Sequence, residues 1–249
     1  MISRVVIKLS GEALGGKGAA AYDDDLIRNI AGQIKRLKEV QISIVVGGGN
    51  FWRGCSDASV LCRSRSDQIG MLATVMNGIY LSENFKAMGV SSRVMTPFQV
   101  GSFTHLFSRD DALNAMSRGE TVIFSGGTGH PYFSTDTIAA LRAAELDAGC
   151  VLYAKNVDGI YDSDPKKNAL AKKYRALSYS EVLAKQLKAI DLSAMSISSE
   201  AGIDSFVFGL GEEDSIVRAC LIAGECYPED AAPLGTRVSA NCNKEEFYV

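Results

Sequence analysis

Short β-branched runs recur along the chain, separated by longer segments with helical spacing. The runs are "RVVIKL" at Arg4 to Leu9, "ISIVV" at Ile42 to Val46, "SRVM" around Val94, "TVIF" at Thr121 to Phe124, "CVLYA" at Cys150 to Ala154 and "SFVF" around Phe206. Their length and near-continuous apolar character fit strands buried on both faces. Between them, Leu26, Ile30, Ile34 and Leu37 repeat at helical intervals, and Leu72, Val75, Met76, Ile79 and Leu81 mark a second apolar face. Strand and helix alternating over the whole chain predict an α/β fold, a three-layer α/β/α sandwich with a mostly parallel central sheet. With 249 residues the chain has room for one large domain or two small ones; no internal repeat or low-complexity linker divides it, and a single domain over 1–249 is expected.

Open sheets of this kind bind ligands beyond the carboxyl ends of their strands. Three of those ends are glycine-rich: "KLSGEAL" after the first run, "VVGGGNFWRG" after the second and "FSGGTGHPYFSTD" after the run at Thr121. Glycine permits close approach of backbone to ligand, and a turn opening a helix presents unpaired N–H groups, so phosphate is the natural guest. Any one junction is also explained as a tight connection. Three at corresponding ends favour a ligand. Neither G-x-x-x-x-G-K-[ST] nor G-x-G-x-x-G occurs, which excludes the P-loop and dinucleotide-binding fingerprints.

The side chains at these junctions each carry two readings. Lys8 ends the first strand just before Ser10 and Gly11, and is either a solvated strand end or a phosphate clamp; Arg53 follows "GGGNFW" with a fork suited to phosphate oxygens. Trp52 is a packing residue or a base-stacking one, and Asp136 is either the N-cap of the helix in "TIAALRAAEL" or a carboxylate that orients Lys8 or magnesium. Asp158, Asp162 and Asp164 crowd "NVDGIYDSDP" but do not match a calcium loop, and two of them sit in ordinary turn pairs.

Charge narrows the partners. Lys+Arg 26 against Asp+Glu 29 gives a net charge of -3 with no basic stripe, which argues against a nucleic-acid partner. Six cysteines, Cys55, Cys62, Cys150, Cys220, Cys226 and Cys242, contain no C-x-x-C, and two histidines cannot complete a zinc site, so reduced, mostly buried thiols are expected. No apolar run reaches the ~20 residues of a membrane span, and no secretory leader is visible. The expectation is a cytoplasmic protein with no membrane partner.

Taken together, "KLSGEAL", "GGGNFWRG", "DQIGMLATVMNG", "GTGHPYFSTD", "VDGIYDSDP", "LSYSEVL" and "AIDLSA" resemble, in order and approximate spacing, the amino acid kinase superfamily and within it the bacterial uridylate (UMP) kinase family, over residues 4–238, with 239–249 as a tail. The resemblance implies a phosphotransferase with a phosphate acceptor. On that resemblance Lys8, Leu9, Ser10, Gly11, Gly49 and Arg53 line the ATP phosphates, while Lys155, Tyr161 and Asp164 match adenine and ribose contacts. Gly48, Asp67, Thr128, Gly129, His130, Pro131, Tyr132, Phe133, Ser134 and Thr135 match the UMP site. Lys8, Arg53, Asp136 and Asp191 match the catalytic positions. Mg²⁺ is expected with ATP, carried mainly by nucleotide phosphates with no dedicated protein metal site. A homohexamer in pyrimidine nucleotide biosynthesis with UTP as feedback inhibitor is also implied.

Four departures stand out. His130 occupies a position that is usually Asn in the family, and its ring either replaces an amide donor or turns outward. Lys155 stands where Thr is common. "GKGAAAYDDD" lacks the "GFG" associated with GTP activation, so that activation is not carried over. "ECYPEDAAPLGTRVSANCNKEEFYV" lengthens the end of the chain, read as a surface strand and frayed end. Rival readings are an amino-acid or isopentenyl phosphate kinase of the same superfamily, or a nucleotide sensor without turnover.

Overall fold

Every residue of "VVIKL" except Lys8 is completely buried, and Lys8 nearly so. The computed structural model shows why: this run, β1 (Arg4–Leu9), lies in the middle of a sheet with neighbours on both sides. The structure describes residues 2–16, 21–54, 60–187, 189–224, 234–242 and 245–248. Residues 17–20 of the "GKGAAAYDDD" loop, Cys55, Cys226, and 225–233, 243–244 and 249 of the C-terminal extension lie outside the described residues.

In chain order the elements are β1, α1 (Gly11–Leu14), α2 (Asp24–Arg36), β2 (Gln41–Val46), α3 (Arg63–Ala87), β3 (Ser92–Thr96), β4 (His105–Leu106), α4 (Arg109–Ser117), β5 (Thr121–Phe124), α5 (Thr135–Glu145), β6 (Cys150–Lys155), β7 (Tyr174–Ser178), α6 (Tyr179–Ala184), α7 (Leu192–Ala201), β8 (Asp204–Gly209), α8 (Ser215–Ala223), β9 (Thr236–Ser239) and β10 (Glu246–Phe247). The described strands form one sheet in the order β10-β7-β9-β8-β6-β1-β2-β5-β3-β4. It is parallel from β8 through to β4, and antiparallel only where β8 meets β9 and β10 meets β7.

Side chains alternate between the two faces with the two-residue period of a strand. Val6, Val45, Val122 and Val151 pack on one side with the alanine-rich faces of α4 and α5 and with α6 and α7. Ile7, Ile44, Ile123 and Leu152 pack on the other with α2, the carboxyl half of α3 and α8. Both faces being apolar, the strand sequences read as continuous apolar runs, as expected of a three-layer α/β/α arrangement.

Two expectations need correction. Leu72 and Met76, assigned to an apolar core face, are 54% and 48% exposed, and with Ile69 they form an outward stripe along the 25-residue α3; only Val75 and Leu81 of the five point inward in full burial. The C-terminal segment is also better tied than a frayed end. β10 pairs with β7, the Tyr248 N–H donates to Lys173 O at 3.1 Å, and its hydroxyl donates to Gly235 O at 2.6 Å.

Candidate active site

The carboxyl ends of β1, β2, β5 and β6 bring three charged side chains to one buried point. Lys8 is the penultimate residue of β1, and Lys155 the last residue of the adjacent β6, where Leu9 pairs with Ala154. Asp136 enters from the first turn of α5. Lys8 Nζ lies 2.8 Å from Asp136 Oδ1 and Lys155 Nζ lies 2.6 Å from Oδ2. Burial alone would raise the Asp136 carboxyl; the Lys8 and Lys155 ammoniums outweigh it and hold the group below the usual carboxylate range. Burial pulls the Lys155 ammonium below its ordinary value, opposed by Asp136.

Asp136 is not the helix cap. Ser134 is, its hydroxyl accepting the Thr137 N–H at 3.2 Å, which leaves the Asp136 carboxylate for the two lysines. The carboxylate is thus shared, with the Lys8 ammonium at Oδ1 and the Lys155 ammonium at Oδ2. The fourth member of the expected set, Asp191, caps α7 by accepting the Ser193 N–H at 2.8 Å, and its charge acts on Lys155.

The first two glycine junctions interlock. A Cβ on Gly11 would stand 2.5 Å from Gly49 N and 2.6 Å from Gly47 O, so the turns after β1 and β2 touch backbone to backbone. Asn77 of α3, fully buried, fastens the second turn by donating to Gly47 O at 2.6 Å and to Asn50 Oδ1 at 2.7 Å. Arg53, further along this loop, reaches Glu12 of α1 at 3.5 Å. The Ser10 hydroxyl makes no cap bond to α1.

Beside Asp136 opens a crevice of about 180 Å³, lined by Gly48, Asp67, Gly127, His130, Phe133 and Thr135 among the expected residues. Trp52, Ser66, Gly70, Met71 and Thr74 complete it. Of these only Trp52 carried a ligand reading in the sequence, base stacking as the alternative to packing; Asp67, Gly70, Met71 and Thr74 fall at helical intervals within "DQIGMLATVMNG", so one face of α3 supplies them. Trp52 donates from Nε1 to Ser66 Oγ at 3.0 Å, walling the crevice rather than filling the core. His130 is exposed and contributes to this wall, and the Thr128 hydroxyl bridges the His130 N–H and carbonyl at 3.0 Å each.

Positive φ at Gly127 (62°) and Gly129 (80°) lets the loop after β5 fold tightly over this crevice. Tyr132 also has positive φ, 75°, a strained state for a tyrosine. It is held there by its N–H donating to Asp67 Oδ2 at 2.8 Å, with Arg63 stacked 4.5 Å above its ring and 3.7 Å from Asp67. Both aromatic side chains of this loop are more than half exposed, and of the two it is Phe133 that lines the crevice.

Tyr161 and Asp164 lie on a separate segment. The Tyr161 hydroxyl donates to Asp158 Oδ1 at 2.8 Å, Lys173 Nζ reaches Asp158 Oδ2 at 2.9 Å, and burial with the Asp158 bond pushes the phenol up to about 12. Asp164 Oδ1 accepts the Lys166 N–H at 3.0 Å as a turn former. Lys155, expected beside the adenine with these two, instead points to Asp136. Among the described residues no group of acidic, histidine or cysteine side chains could hold a metal alone. A wider cleft of about 580 Å³ lies at the opposite, amino-terminal ends of β2 and β5, away from the convergent lysines.

A profile of the amino acid kinase family matches residues 3–209. Among solved structures, UMP kinase from Ureaplasma parvum superposes with a TM-score of 0.87 at 35% identity, covering 96% of this chain and 99% of that one. UMP kinase from Bacillus anthracis superposes at 0.90 with 30% identity over 100% and 99% of the two chains. Uridylate kinase from Archaeoglobus fulgidus superposes at 0.70 with 26% identity over 96% and 100%.

Proposed function

Since the chain belongs to the amino acid kinase family, we propose that it is a UMP kinase acting as one domain, transferring the γ-phosphoryl group of ATP to the phosphate of UMP and releasing UDP and ADP. The observation that carries this reading is an adjacency: Thr135 lines the small crevice, and the next residue, Asp136, binds the buried lysines. An acceptor in the crevice would present its phosphate at that centre. Likeness to UMP kinases over nearly the whole chain supports the same acceptor.

The chemistry requires little from side chains. The second ionisation of a phosphate monoester, near pH 6, leaves UMP charged at neutral pH, so its oxygen attacks without a general base. A bond forms from that oxygen to the γ-phosphorus while the bond to the β,γ-bridging oxygen breaks, and ADP leaves with the electron pair. Charge spreads over the transferred group, and cations and N–H donors stabilise it. In this reading Lys8 and Arg53 are those cations, Asp136 orients Lys8, and Asp191 adjusts the field at Lys155. Leu9, Ser10, Gly11 and Gly49 supply backbone around the ATP phosphates, with Tyr161 and Asp164 toward the nucleoside. Gly48, Asp67 and the run Thr128–Thr135 hold UMP.

Among the described residues Asp136 is the single carboxylate buried at this centre, and both its oxygens face ammoniums. That donor set fits Mg²⁺ arriving on ATP phosphate oxygens rather than in a protein cage, where it supplies charge neutralisation. The same reading makes the protein a cytoplasmic homohexamer of pyrimidine nucleotide biosynthesis, subject to UTP inhibition. The exposed Ile69, Leu72 and Met76 stripe supports self-association, and no helix among the described residues is long and apolar enough to cross a membrane.

Coupled ADP release with UMP, CMP, dUMP, glutamate and isopentenyl phosphate tests the assignment. Turnover with UMP is expected. A glutamate or isopentenyl phosphate signal in its place would overturn the acceptor, and UMP binding without ADP release would make the protein a sensor.

A further inference from the structure

Lys8 and Asp136 in contact sum to zero charge, and a phosphate clamp neutralised by its own carboxylate offers a weak field to a polyanion. The third group changes that sum. Lys155 takes Oδ2 while Lys8 stands at Oδ1, so the three buried groups carry one net positive charge. The Lys155 contact is a hydrogen bond at 2.6 Å and the Lys8 contact a buried ion pair at 2.8 Å, one at each carboxylate oxygen. Asp136 is therefore shared between two ammoniums, so its single negative charge is not spent on Lys8 alone. The strand end that carries Lys155 is fixed against β8, with its carbonyl accepting the Leu210 N–H at 3.0 Å and Lys155 in register with Gly209.

The geometry points to Lys155 as a positioning residue for phosphoryl transfer: by holding Asp136 at its second oxygen and balancing its charge, it leaves the pair of buried lysines with a net positive field toward the transferred group. This rests on the reading of the reaction as ATP-to-UMP transfer, and it moves Lys155 from the adenine to the phosphates. The groups that face it are Asp136 from α5, Lys8 from β1, Asp191 at the start of α7 and, on its own strand, the Tyr153 ring 5.8 Å from Nζ.

The test uses the full-length protein with Lys155→Met and Lys155→Arg, after the wild type has been shown to turn over UMP; a wild type without UMP turnover refutes the reaction and not this placement. For Lys155→Met, kcat should fall roughly 10- to 100-fold, less than the roughly 100- to 1000-fold cost of losing a donor that touches the reacting atoms, while the Kd for UMP changes less than about twofold. Lys155→Arg should recover most of the lost kcat. It should also shift the alkaline fall of kcat to higher pH, because guanidinium stays charged where a buried ammonium does not.

Unchanged kcat in Lys155→Met overturns the proposal. So does a rise confined to the KM for ATP with altered preference between ATP and GTP, which would return Lys155 to the base. Should Lys155→Met fail to fold by circular dichroism, Lys155→Arg decides alone: an alkaline limb that does not move means the lysine only satisfies a buried charge.

Discussion

Asp67 on α3 accepts the backbone N–H of Tyr132 at 2.8 Å and so holds a tyrosine in left-handed backbone conformation over the acceptor crevice. A non-glycine residue at that φ costs of order 1–3 kcal/mol, and the bond offsets part of it.

Replacing Asp67 by Ala should therefore loosen the loop as well as remove a polar wall. The expected result is a stability loss of about 1 kcal/mol in urea titration and at least a tenfold rise in the KM for UMP. Asp67→Asn keeps an acceptor for the Tyr132 N–H and should lose less stability. Equal losses in the two variants would show that the charge toward Arg63, not the backbone bond, matters.

Asp136 links pH to stability. Its folded pKa is depressed by the two lysines, so its contribution is present above the unfolded value of about 3.9 and disappears as pH falls through the lower folded value. Urea titrations of wild type and Asp136→Asn should differ most at neutral pH, and the gap should close below about pH 4. A gap that persists in acid would contradict the ion-pair account. Asp136→Ala leaves two facing ammoniums and should cost about 3–5 kcal/mol.

Two glycines separate necessity from convenience. Gly11→Ala drives a Cβ within 2.6 Å of the Gly47 and Gly49 backbone and should cost about 1–3 kcal/mol together with most activity. Gly32→Ala, inside α2 with nothing within 4 Å, should stabilise by about 0.5–1 kcal/mol. Thermal melts of both variants check the pair; similar shifts would refute the interlocked-turn description.

The C-terminal strand bears on the segment proposed to meet the ATP nucleoside. Tyr248 lies over Lys173, which pairs with Asp158, and Asp158 takes the Tyr161 hydroxyl. Tyr248→Ala should lower Tm by about 2–4 °C for each kcal/mol lost and raise the KM for ATP a few-fold with the KM for UMP unchanged. Parallel changes in both constants would indicate a general loss of fold.

The legible parts of this molecule are those in which a local pattern has one physical outcome. "RVVIKL" and "TVIF" became strands with the expected ends because fully apolar, β-branched runs of that length are stable only between neighbouring strands. "YRALS" and "TRVS" mix polar and apolar residues, and their pairing as β7 and β9 depends on partners far along the chain. Leu72 and Met76 share helical spacing with Val75, so periodicity alone could not tell which stripe of α3 meets the sheet. The crevice residues were partly legible through "GTGHPYFSTD", whereas the Asp67 bond to Tyr132 joins segments with no local signature. The direction of Lys155 was not legible, because the resemblance offered only adenine at its position, while its contact is with Asp136, a residue on another element.

Val5 pairs with Cys150, and the same alignment brings Lys8 and Lys155 onto adjoining strands. Contacts this distant in sequence form late and make folding slow. During synthesis, a chain that has emerged only through β5 holds β1 with one of its two neighbours and lacks half of its lysine pair. The buried lysine–aspartate centre is therefore assembled only once β6 has joined β1, which ties its completion to the meeting of distant parts of the chain.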